Sequence, residues 1–302
     1  MTDVLRIENL HKSFGKTSVI EGISLTVPTG SVFGFIGENG AGKTTTMKMV
    51  LGLLNPDSGE VYVCGEKVRF GMTATNRHVG YLPDVPEFYP YMRPLEYLRL
   101  CGQIVGLSDS DIRTRSGELL ELVGLAGSNR KIGGFSRGMK QRLGVAQALI
   151  GKPALLICDE PTSALDPVGR KEVLDILTQI RGDTTVVFST HVLSDVERIC
   201  DRAAVLHRGH IVLDGTLSDL KAQHGSSGLR IEFSHPEDAA RFCGLVSAGH
   251  VTSRTGSEVI LDTTDETTEM SMLRLLSDND ILPTAFEILE PSVENLFLEA
   301  VS

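Results

Sequence analysis

At 302 residues, with 41% apolar and 23% charged side chains, the chain has room for about two domains and is too apolar to be disordered. Nothing in it approaches the ~18 consecutive apolar residues of a membrane helix, and its start, "MTDVLRIENL", lacks the basic and apolar regions of a signal peptide. The net charge of −10 is uneven: residues 225–302 hold 14 Asp and Glu against 4 Arg and no Lys, while the first 224 residues balance 25 of each sign.

In chain order, the first informative element is the apolar run Val32–Ile36, a predicted strand, followed by "GENGAGKTT" (37–45). Then come Met47, Val50, Leu51 and Leu54 at helical spacing. Strand, glycine-rich loop and helix are the context of a phosphate-binding loop, and Gly37-x4-Gly42-Lys43-Thr44 fits its spacing. Glycines let backbone N–H groups converge on an anion, and the helix adds the positive end of its dipole. Gly37, Glu38, Asn39, Gly40, Ala41, Gly42, Lys43, Thr44 and Thr45 are the expected nucleotide contacts. Lys43 would reach the β- and γ-phosphates and Thr44 would hold Mg²⁺. An ordinary glycine turn is the alternative; the flanking strand and helix speak against it.

Between Tyr81 and Tyr97 lie four of the chain's five tyrosines. Aromatics at this density are enriched in protein interfaces, though a satellite core cluster would read the same way. Further on, Met139, Leu143, Ala146 and Ile150 predict a helix that begins near Ser136, a good N-cap. Its start offers a second anion site, which makes sense if it serves the nucleotide of another subunit.

The apolar run Leu155–Cys158 reads as a buried parallel strand ending in Asp159 and Glu160. Ligands bind at such carboxyl ends. Asp159 is expected to hold Mg²⁺ and Glu160 to orient and deprotonate a water. Two acids capping a helix after Pro161 would be the plainer reading. A further strand, "TTVVFSTH", ends in His191, expected to donate to the γ-phosphate.

The composition breaks at "HGSSG" (224–228), taken as the domain boundary. Residues 229–302 then read as β-α-β-β-α-β with a short final helix, a ferredoxin-like order. The five cysteines are scattered, odd in number and without a Cys-x-x-Cys pair, which argues against a disulfide framework or zinc site and fits reduced thiols in a cytoplasm.

Taken together, the motifs resemble those of the ATP-binding cassette family, the ATPases of ABC transporters. "GENGAGKTT" looks like its Walker A loop, "LLICDEP" like Walker B, "FSRGMKQ" like the signature loop, "SALD" (163–166) like the D-loop and His191 like the switch histidine. "GYLPD" (80–84) sits where the Q-loop sits, and Phe14 where an aromatic residue stacks on adenine. The motifs follow in family order across roughly residues 4–220.

This resemblance implies an α/β phosphate-loop ATPase domain over 1–223, with a helical subdomain at about 85–150, followed by a small acidic α+β domain over 229–302. It implies ATP and Mg²⁺, with Thr44 and Asp159 toward the metal; Asp84 is expected on Mg²⁺ or on a Mg²⁺-bound water, where its charge is favourable, the alternative being a loop residue outside the metal's reach. It also implies a head-to-tail dimer, homo- or heteromeric, in which Ser136, Arg137, Gly138, Met139 and Asp166 face the second subunit's ATP. Three departures stand out: Asp84 for the usual Gln, Phe14 for Tyr, and a signature loop with Arg137 for Gly and Met139 for Gln.

In the family, the region after the Q-loop receives the coupling helix of a multi-span membrane permease. "SRGMKQRL" and "LEPSVENLFLEAV" are similar to the bacterial subgroup that pairs with ABC-2-type permeases and exports drugs, antibiotics, lipids or polysaccharides. The expectation is therefore an ATP-hydrolysing subunit powering a separate permease from the cytoplasmic side of the membrane. The alternatives are a soluble cassette ATPase with a non-transport partner and an importer ATPase. A nucleic-acid partner is not expected, because the acidic domain would repel phosphate backbones. A non-catalytic nucleotide sensor would be expected to lack Glu160 or His191.

Overall fold

The computed structural model describes residues 3–71, 74–224, 228–246, 251–262, 266–289 and 293–301. The chain divides into two compact units, Met1–Leu217 and Ser218–Ala300. The expected boundary at 224–228 includes residues 225–227, which lie outside the described residues.

The first unit opens with strands β1 (Asp3–Phe14) and β2 (Thr17–Pro28), then β3 (Val32–Ile36) and helix α1 (Lys43–Val50). Strands β4 (Ser58–Val63), β5 (Glu66–Lys67) and β6 (Val79–Leu82) follow. Helices α2 (Pro94–Ile104), α3 (Asp109–Leu122) and α4 (Arg137–Leu149) form the helical subdomain. The remainder alternates: β7 (Leu155–Asp159), α5 (Pro167–Gln179), β8 (Thr185–Thr190), α6 (Leu193–Ile199), β9 (Arg202–His207) and β10 (His210–Thr216).

Two sheets result, an antiparallel one in the order β2-β1-β4-β5 and a six-stranded one in the order β10-β9-β3-β8-β7-β6. In the larger sheet only β10 is antiparallel to its neighbour. Strands β3, β7 and β8 are buried at every position. That is why they read as unbroken apolar runs rather than alternating ones. Helix α1 lies in the core that joins the sheets, where Met47, Met49 and Val50 meet Ile7 and Ile23 of one and Phe35 and Ile157 of the other.

Local signals set the helix starts. Ser136 accepts from Met139 N at 3.2 Å and caps α4. Asp166 accepts from Gly169 N at 2.8 Å, and Pro167 supplies the first residue of α5. All five cysteines are free, and burial pushes the Cys158 and Cys200 thiols upward.

In the second unit, helix α7 (Leu217–His224), which begins at the unit boundary, precedes β11 (Gly228–Phe233), α8 (Pro236–Leu245), β12 (Val251–Thr255) and β13 (Glu258–Asp262). Helix α9 (Glu266–Asp278), β14 (Pro283–Leu289) and α10 (Val293–Val301) complete it. The sheet order is β12-β13-β11-β14, with every neighbouring pair antiparallel. Helices α8 and α9 thus each cross over one intervening strand, the split β-α-β arrangement of ferredoxin-like folds. Leu229, Ile231 and Phe233 alternate into a core shared with Phe242 of α8 and Met272 of α9.

Candidate nucleotide site

The loop between β3 and α1 bends where side chains would not fit. Gly40 has φ 86° and Gly42 φ 112°; a Cβ on Gly42 would lie 2.5 Å from Ile20 Cδ1. A methyl group at Gly37 would come within 2.6 Å of the Leu206 carbonyl oxygen. Glycine is therefore required by conformation at one end of the loop and by close approach at both. The loop curves around a cradle of about 170 Å³, lined by Gly40, Gly42, Lys43, Thr44, Thr45 and Val19 among others.

Lys43 is buried at 6% exposure. Its Nζ donates to the Gly37 carbonyl at 2.6 Å and the Glu38 carbonyl at 3.2 Å, and it pairs with Glu160 Oε1 at 3.2 Å. A buried cation needs such partners, and the loop's own carbonyls supply them. The pair with Glu160 lacks hydrogen-bond alignment, so that carboxylate oxygen is buried and unbonded.

Strand register assembles the acidic side. Strand β7 runs parallel to β8 with Asp159 opposite Ser189. Asp159 is 5% exposed; its Oδ2 accepts from Thr44 Oγ1 at 2.8 Å and its Oδ1 from Ser189 Oγ at 2.6 Å. Ser189 Oγ in turn accepts from Glu160 N at 3.0 Å. Sequence reasoning missed Ser189. The signal was there, since a hydroxyl inside a fully buried strand must find a partner.

Glu160 sits at φ 48°, a left-handed conformation that costs a non-glycine residue free energy and collects at functional sites. The bend aims its carboxylate at His191, whose Nδ1 lies 2.9 Å from Glu160 Oε2. His191 follows directly on β8 and is 47% exposed. Lys43, Glu160 and His191 are thus linked by contacts of 3.2 and 2.9 Å and Thr44 and Asp159 by one of 2.8 Å, and Ser189 joins the two groups through the Asp159 carboxylate and the Glu160 N–H.

The other expected residues lie outside this linked set. Asp84 accepts from Ser163 Oγ and lies 3.9 Å from Arg137. Ser136, Arg137, Gly138 and Met139 open α4, and a Cβ on Gly138 would lie 3.9 Å from Gly169 Cα, near the Asp166-capped start of α5. Phe14 ends β1 at 51% exposure, with Lys12 Nζ 5.5 Å from its ring centre. It precedes the turn into β2, the strand whose Val19 lines the cradle.

A glycine cradle with a buried lysine, backed by an Asp–Glu strand end, defines a phosphate-loop ATPase. The ABC transporter family model matches residues 20–163, and the ATP-binding protein DrrA1-3-like C-terminal domain model matches 215–301. The bacitracin transport ATP-binding protein BcrA of Enterococcus faecalis is 35% identical over 100% of this chain and 97% of its own. The linearmycin resistance ATP-binding protein LnrL of Bacillus subtilis is 33% identical over 98% and 97%. A solved ATP binding subunit of an ABC transporter matches with a TM-score of 0.65 and 32% identity, over 73% of this chain and 92% of that one. The chain belongs to the ATP-binding proteins of ABC transporters, and ATP hydrolysis is its activity. Among the described residues, no helix is long and apolar enough to cross a membrane.

Proposed function

We propose that this protein hydrolyses Mg²⁺–ATP between two subunits docked head to tail and thereby drives a separate membrane permease that exports an antibiotic-like compound. The observation that carries the hydrolytic part is the linked set Lys43, Thr44, Asp159, Glu160 and His191. The donor chemistry fits the ligands: converging loop amides and an ammonium suit phosphate oxygens, and Thr44 Oγ1 beside Asp159 Oδ2 gives the paired hard oxygens that Mg²⁺ takes. When bound, Mg²⁺ neutralises charge on the phosphoryl oxygens.

Phosphate takes the place of Glu160 as the anionic partner of Lys43, which frees the carboxylate to act as general base on water. His191 holds that carboxylate from one side and offers a donor toward the terminal phosphate. Ser189 fixes Asp159 and the Glu160 backbone together, so metal and base keep one spacing. Phe14 supplies a half-exposed ring for the adenine, and Ser136, Gly138 and Met139 present the start of α4 to the nucleotide across the dimer. Asp84 is left out of this pair: its contacts are with Ser163 and Arg137, whereas Thr44 and Asp159 bond to each other.

The permease finds its place on the helical subdomain. Tyr89 and Tyr91 are 51% and 66% exposed, with ring centres 5.8 Å apart, and Tyr89 leans on the buried Tyr97. Beside them is a hollow of about 410 Å³ lined by Val85, Pro86, Phe88 and Ile132. Exposed aromatics next to a hollow lined by these apolar residues and by charged Glu87, Arg137 and Lys140 suit an amphipathic docked helix. Export of an antibiotic-like compound is supported by the printed names of the relatives, one for linearmycin resistance and one for bacitracin transport.

Purification from detergent-solubilised host membranes tests the reading. A permease with about six spans should co-purify with the full chain and be lost with Tyr91→Asp. Recovery of the chain without any membrane protein would contradict the transport role.

A further inference from the structure

Arg137 is the first residue of α4, where unpaired N–H groups and the positive end of the helix dipole disfavour a cation. Its guanidinium is 50% exposed, and its one ion pair among the described residues is the 3.9 Å approach to Asp84. That distance is too long for a direct hydrogen bond, so the fork of donors is held loosely. Asp84 is fixed more firmly. Strand β6 pairs with β7 so that Leu82 lies opposite Cys158, which sets Asp84 beside the turn after Glu160, and there Ser163 donates to it. Around Arg137, the other charged groups lining the same hollow are Lys140, one turn further along α4, and Glu87.

We infer that Arg137 exchanges anions: Asp84 holds it in the separate subunit, and the terminal phosphate of the partner subunit's ATP replaces Asp84 in the dimer. Asp84 is then a positioning residue. Its charge opposes dimerisation by the strength of the pair that must be given up, and Ser163 keeps that charge in reach. Because the pair is half exposed and long, the opposition is small and sensitive to salt. This inference rests on the head-to-tail reading proposed above.

The test uses the full chain carrying Glu160→Gln, with ATP-driven association followed by light scattering at low and high salt. Asp84→Asn should lower the ATP concentration for half-maximal association by about threefold at low salt, the size expected for an exposed pair, and by less at high salt. Arg137→Gln should raise it, and adding Asp84→Asn to Arg137→Gln should change nothing further. An Asp84→Asn effect of equal size with and without Arg137, or no effect at all, overturns the inference while leaving the dimer intact. Absence of any ATP-driven association with Glu160→Gln alone would instead sink the head-to-tail reading, and the inference with it.

Discussion

Glu160 holds the catalytic account together at the scale of a single residue. Its backbone is left-handed at φ 48°, its N–H is bonded to Ser189, and its two oxygens face Lys43 and His191. Glycine would relieve the backbone there, but it has no side-chain base to take a proton from water. Ser189 keeps this bend and the Asp159 carboxylate in step. Ser189→Ala should therefore lower kcat by roughly ten- to a hundredfold, the scale of a hydrogen bond to a charged group, with ATP affinity changed far less. Steady-state kinetics with fluorescent-ATP titration separate the two. Loss of affinity with unchanged kcat would show that Ser189 only supports the fold.

Among elements, legibility followed the distance over which the physics acts. The strand–loop–helix around Gly37–Thr45 is contiguous, so spacing alone revealed it, and the glycine geometry explains why those positions tolerate nothing else. Buried strands β7 and β8 were visible as apolar runs, and the second unit as alternating strands and periodic helices. Register was not visible. Asp159 meets Ser189, and Leu82 meets Cys158, across long stretches of chain whose pairing no local pattern encodes. The twelve-residue strands β1 and β2 were also missed, because their buried positions are interrupted by bulges that break simple alternation. Val19 of the cradle went unread with them.

The N-cap of α4 belongs to this scale as well. Ser136→Ala removes the acceptor for Met139 N and should cost about 1 kcal/mol in urea unfolding, within the usual range for a lost cap. It should also weaken ATP-driven association while leaving ATP affinity of the separate subunit unchanged. A fall in that affinity would place Ser136 on its own subunit's nucleotide.

For the whole molecule, charge and fold divide the labour. The first 224 residues are electrically balanced and contain the phosphate loop and the Asp159–Glu160 pair; residues 225–302 carry the net −10, and a C-terminal domain family of its own matches 215–301. The exposed tyrosines Tyr89 and Tyr91 lie at the helical subdomain of the first unit. The central claim is that one linked site both binds and hydrolyses ATP, with Glu160 as the base. Glu160→Gln keeps the side chain's shape and removes its basicity, so the decisive measurement is ATP turnover and bound nucleotide in the full chain carrying that change. Turnover should be slowed by roughly 10²–10⁴-fold, with ATP retained unhydrolysed on the protein. Turnover within a few-fold of the unmodified chain would contradict it.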